Sequence, residues 1–83
     1  MKYNWKLEKA HGLTEVHYSY WKRGLGFYKI THTGNMGNSI DSVNENLEKM
    51  GYRSIESMKQ SFYVIEETGS PDYLYTLILR DRE

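Results

Sequence analysis

Two rhythms of hydrophobic and polar residues divide the 83-residue chain. Tyr3, Trp5 and Leu7 alternate with Lys2, Asn4, Lys6 and Glu8, the period of two expected for a strand with one buried face. Ala10-His11-Gly12 breaks that pattern and can turn. Alternation resumes from Leu13, with Val16, Tyr18 and Tyr20 on one face and Glu15, His17, Ser19 and Trp21 on the other, as in the second arm of a hairpin. Trp21-Lys22-Arg23-Gly24 forms a basic, aromatic turn. Leu25 to Thr31 then reads as a third strand, apolar on both faces and therefore suited to the middle of a sheet.

The rhythm changes to that of a helix over Asn38–Gly51. Ile40, Val43, Leu47 and Met50 recur every three or four residues, which places them on one stripe, while Asp41, Glu45, Glu48 and Lys49 occupy the wet faces. Asn38 or Ser39 can cap the first turn, Asp41 suits the positive end of the helix dipole, and Glu45 and Lys49 are spaced to pair. Gly51 can take the left-handed conformation that stops a helix, bringing Tyr52 back against Leu47. A helix of this length is marginal alone in water, so its stripe has to dock on something.

Beyond it, Tyr52 to Met58 fits a strand or a short helical turn, and strand is the reading adopted. Ser61 to Ile65 is rich in aromatic and β-branched residues and reads as a strand. Glu66 to Asp72 gathers the turn formers, including the single proline, before a last apolar strand over Tyr73–Leu79. The expectation is one α+β domain over residues 1–83. Its antiparallel sheet has five or six strands in the order β-β-β-α-β-β, a further short strand following the helix being an option, and one helix packs on one face.

Composition narrows the class of function. With no cysteine, neither disulfides nor thiolate metal ligation holds this fold together. No apolar run is long enough to cross a membrane, which points to a soluble, cytoplasmic protein. Net charge is zero, which argues against bulk electrostatic coating of nucleic acid. The distribution is uneven, however: residues 1–37 carry six basic side chains against two acidic, and residues 38–83 carry five against nine. Eight tyrosines, two tryptophans and two phenylalanines add apolar area with polar tips, equally suited to a small core and to a binding surface.

Two stretches carry candidate chemistry. The first is the cluster Tyr20, Trp21, Lys22, Arg23, Tyr28 and Lys29, in which exposed tryptophan, tyrosine and arginine are the residue types that dominate protein interfaces. The second is the loop Thr33, Gly34, Asn35, Met36, Gly37 and Asn38, where a strand meets a helix N-terminus and free N–H groups can face an anion. Its Thr31-x-Thr33-Gly34-Asn35 string resembles the phosphate loop of flavodoxins, and that resemblance would imply a flavin phosphate site. The match spans five residues, and flavodoxins need alternating strands and helices in a much longer chain, so no cofactor is assigned. His11, His17 and His32 lack the spacing of a metal site. Glu15 and His17 can pair on one strand face, but no nucleophile elbow or Walker loop accompanies them.

The sequence therefore predicts a small non-enzymatic module that binds another protein, of inhibitor or adaptor type and of the kind common among phage or bacterial accessory proteins. Nucleic-acid or nucleotide binding through the basic, aromatic N-terminal half and the Gly34–Asn38 loop is the alternative.

Overall fold

A computed structural model describes residues 3–22, 25–34, 39–69 and 74–82. Its elements in chain order are β1 (Lys6–His11), β2 (Thr14–Lys22), β3 (Leu25–Thr33), α1 (Ser39–Lys49), α2 (Ile55–Ser61), β4 (Tyr63–Gly69) and β5 (Leu74–Arg80). The five strands form one antiparallel sheet in the order β1-β2-β3-β5-β4, with both helices on the same face. The α+β class and the antiparallel sheet agree with the sequence pattern. The single helix does not.

Register sets which residues meet the helices. One cross-strand row joins Thr14, His32 and Tyr75, the next Val16, Ile30 and Leu77, and the next Tyr18, Tyr28 and Leu79. The α1 stripe lands on them: Val43 and Leu47 are fully buried, Met50 is buried and Ile40 packs beside the cluster. Burying such a side chain completely is worth about 1.5–3 kcal/mol, which is why this marginal helix holds. Gly51, at φ +90°, ends α1 as the glycine pattern predicts. Its N–H donates to the Glu48 carbonyl at 3.0 Å and that of Tyr52 to the Leu47 carbonyl at 2.8 Å, closing the last turn. The Lys49–Glu45 ion pair forms at 3.2 Å.

Most departures from the sequence pattern follow α1. From Ile55 the segment read as a strand over Tyr52–Met58 is α2 instead, which runs on to Ser61, a residue read as part of the next strand. Ser54 caps it by accepting from the Ser57 N–H at 3.3 Å, and Ile55 and Met58, three apart, are its buried residues. Two residues at helical spacing are too few to outweigh the neighbouring strand pattern. β4 runs through Glu66, Glu67 and Thr68, which composition assigned to a turn. Edge position explains this, because all seven residues of β4 are exposed and its charges lie in water.

At the N-terminus, Tyr3 to Trp5 is not a strand. The Asn4 N–H donates to Ser19 Oγ at 3.2 Å, Tyr3 stacks on Trp5 with centroids 4.9 Å apart, and Tyr3 meets Phe27 edge-on at 4.9 Å. The alternation there comes from rings crossing the helix-free face of the sheet. Leu7, read as part of a buried face, is 57% exposed on β1. Both edge strands carry an irregularity, between Leu7 and Lys9 on β1 and between Val64 and Glu66 on β4. A bulge twists an edge away from pairing with another sheet.

Among the described residues, no helix is long and apolar enough to cross a membrane.

Candidate functional site

Burial falls steadily along the helix-facing side of β2. Thr14 is 0% exposed, Val16 2%, Tyr18 half-buried and Tyr20 62% exposed. The helical layer thus covers one end of the sheet and leaves the other to tyrosines. Tyr20 and Tyr18 have ring centroids 6.4 Å apart, Tyr18 and Tyr28 5.1 Å, and Tyr28 and Phe62 5.3 Å, all tilted. Tilted contacts at these separations are favourable for aromatic quadrupoles. The four rings form a ledge that starts in water at Tyr20 and ends against the core at Phe62.

Glycine makes room for the ledge. Gly26 lies opposite Tyr20 on β3, and a Cβ there would sit 2.8 Å from Tyr18 Cε1 and 3.1 Å from Asp81 Oδ2. The Gly26 N–H donates to that carboxylate at 3.1 Å, and the Asp81 N–H donates to the Gly26 carbonyl at 3.0 Å. These two bonds pin the end of β5 beside the ledge. The Tyr18 and Tyr28 phenols titrate above the ordinary tyrosine range, through burial first and then the charge of Tyr20 for Tyr18 and of Asp81 for Tyr28. Both therefore remain hydrogen-bond donors at neutral pH.

At the foot of the ledge lies a cleft of about 320 Å³, with Val16, Ile30, Met58 and Leu79 on its apolar side and Glu8 and Arg53 among its polar residues. The size and lining are those of a pocket that accepts a single side chain or a small apolar group. β1 is tied to the helical layer around this cleft. Lys9 Nζ donates to the Met50 carbonyl at 2.8 Å and lies over the Tyr52 ring, while the Tyr52 hydroxyl donates to Glu8 at 2.8 Å. Burial, followed by the bond to Glu8, raises the Tyr52 phenol.

The residues singled out from sequence divide between the two sheet faces. Tyr20 and Tyr28 lie on the ledge, joined through Tyr18. Lys29 lies on the opposite face, its ammonium 4.9 Å from the Trp5 ring centroid. Trp21 and Lys22 are on β2, but their side chains, like Arg23 as a whole, lie outside the described residues. Tyr18 and Phe62 belong to the ledge, although alternation and composition assign them to core and strand. Their half-burial arises from where the helices stop, which no local pattern encodes.

The loop before α1 is described only at Thr33 and Gly34; Asn35, Gly37 and Asn38 lie outside the described residues. The Thr33 N–H donates to the Leu13 carbonyl at 3.0 Å. A second cavity nearby, about 250 Å³, is lined by His11, Gly12, Leu13, His32, Ser42, Glu45 and Asn46. Among the described residues, its lining contains no lysine or arginine. The Thr14 hydroxyl joins His32 Nδ1 and Asn46 Nδ2, each at 2.9 Å, and burial holds the His32 imidazole below its ordinary pKa. His17 and Glu15 meet at 3.4 Å on the helix-free face. Among the described residues, no three His, Asp or Glu side chains lie together as a metal site would require.

No family model, curated protein or solved structure matches the chain.

Proposed function

We propose that the protein is a non-enzymatic, cytoplasmic module that binds another protein, of inhibitor or adaptor type, and that the ledge from Tyr20 to Phe62 is its contact surface. The observation that carries this reading is the 62% exposure of Tyr20 at the end of a continuous ring series leading to an apolar cleft. Tyrosine presents large area at little conformational cost, and a cleft beside it suits an anchoring side chain from the partner. Trp21, Lys22 and Arg23 follow Tyr20 directly in the sequence and are counted with this surface for their residue types alone. Nucleic-acid binding at the ledge has less support, since Lys9 is spent on the Met50 carbonyl and Lys29 stands on the opposite face of the sheet.

The test is affinity capture from the native host with the wild-type protein, Tyr20→Ala and Trp21→Ala. The reading expects a partner recovered by the wild type and lost with Tyr20→Ala, at unchanged melting temperature. Equal recovery by Tyr20→Ala discards the ledge.

A further inference from the structure

The helix-free face of the sheet carries a second arrangement, independent of the ledge. Register places His17, Lys29 and Ile78 in one row and Ser19, Phe27 and Arg80 in the next, with Glu66 beside Ile78 and Tyr63 beside Arg80 on β4. Lys29 sits over Trp5, while Arg80 and Arg82 lie over Tyr63 at 5.0 and 4.9 Å from the ring centroid. Rings hold all three cations in place, and among the described residues no carboxylate pairs with any of them. The ion pairs among the described residues are His17–Glu15, Lys49–Glu45 and Lys59–Glu67. Among the described residues, the buried Arg80 Nε finds no hydrogen-bond partner.

We propose that this face docks an acidic, extended segment of a partner polypeptide, whose carboxylates meet Lys29, Arg80 and Arg82. Cations fixed by cation–π contact lose little further freedom on binding, and the planar arginine fork suits carboxylates. The spacing agrees. Lys29 and Arg80 stand on neighbouring strands two residues out of register, so their Cα atoms are about 8 Å apart, close to the roughly 7 Å between alternate residues of an extended chain. Nucleic acid fits less well. Single-strand binders offer free ring faces for bases, whereas Trp5 is occupied by Tyr3 and Lys29, and Tyr63 by two guanidinium groups. Among the described residues, Glu15 and Glu66 are the strand carboxylates of this face. Glu15 is committed to His17, which leaves Glu66 as the group that opposes an acidic ligand.

Titration of the intact protein with poly-L-glutamate, followed by backbone amide NMR, tests the proposal, with oligothymidylate at equal charge concentration as the competing probe. Poly-L-glutamate is expected to shift Trp5, Lys29 and Arg80, with affinity falling as salt rises. Lys29→Gln with Arg82→Gln should weaken binding at least tenfold. Glu66→Gln should strengthen it severalfold, and Tyr20→Ser should leave it unchanged, so this surface can fail or stand separately from the ledge. The proposal is overturned if poly-L-glutamate does not bind, if the double variant binds it equally, or if oligothymidylate binds more tightly.

Discussion

The two faces of this sheet use the same residue types for different ends. On the helix-bearing face aromatic rings begin in the core and run outward, from Phe62 and Tyr28 to the exposed Tyr20. On the helix-free face no helix lies among the described residues; Tyr3 and Trp5 of the N-terminal segment and Tyr63 of the β4 edge cover part of it, and Trp5 and Tyr63 are each paired with a cation. What separates the faces is how far the two short helices reach. Where they reach, burial is complete and stability resides there. Where they stop, tyrosine spans the step from core to solvent.

If stability is concentrated under the helices, neighbouring residues of β5 should respond very differently to truncation. Leu77 is 0% exposed beneath α1 and α2. Leu77→Ala should cost about 2–5 kcal/mol, measured by urea unfolding, from lost transfer energy plus the cavity left behind. Thr76, next to it on the open face and half-buried between Thr31 and Thr68, should cost less than about 1 kcal/mol as Thr76→Ala. Similar losses at the two positions would break the comparison.

A change of intermediate size should come from pH. Burial disfavours the charged form of His32, so its folded pKa lies below the ordinary 6.5 while the unfolded chain still binds the proton there. The unfolded state then binds more protons below that value, and stability must fall as pH drops through and below about 6.5. His32→Gln should flatten the pH dependence of the urea midpoint between about pH 7 and 5 relative to wild type. An unchanged slope would show that this end of the helical layer is open to water. Glu67 acts in a lower window: bonds from Lys59 and Tyr75 lower its pKa, so its contribution is present above the ordinary 4.5 and is lost as pH falls through the folded value.

The smallest expected change tests the step between the two regimes. Gly26→Ala would press a methyl group against the Tyr18 ring, so the ledge should rearrange while the core under α1 keeps its packing. Amide shifts at Tyr18 and Tyr20 with none at Val43 or Leu47 would sharpen the contrast, and shifts throughout α1 would remove it.

The sequence held the rows of this sheet more plainly than it held its boundaries. Val16, Tyr18 and Tyr20 share a face as alternation implies, and Val43, Leu47 and Met50 dock as their spacing implies, because both periods are local properties. α2 was obscured because two buried residues three apart, Ile55 and Met58, provide one turn of evidence and no more. The charged Glu66-Glu67 pair hid the length of β4, since edge strands tolerate residues that composition reserves for turns. The candidate surface was only partly visible. Tyr20 and Tyr28 were found through their type, but Lys29 was grouped with them although a single step along β3 turns it to the other face. Trp5, Tyr63, Arg80 and Arg82 meet only through tertiary packing, and no spacing between them in the chain announces it.

The central claim is that the helices leave the Tyr20 end of the inner face open for a partner, and site-specific photocross-linking tests it most directly. Benzoylphenylalanine would be placed at position 20 and, as a control, at the exposed Gln60 of α2, and both proteins irradiated in extract of the native host. The account predicts one discrete adduct from position 20 that is absent from position 60. Adducts from position 60 alone, or the same adducts from both, would contradict it.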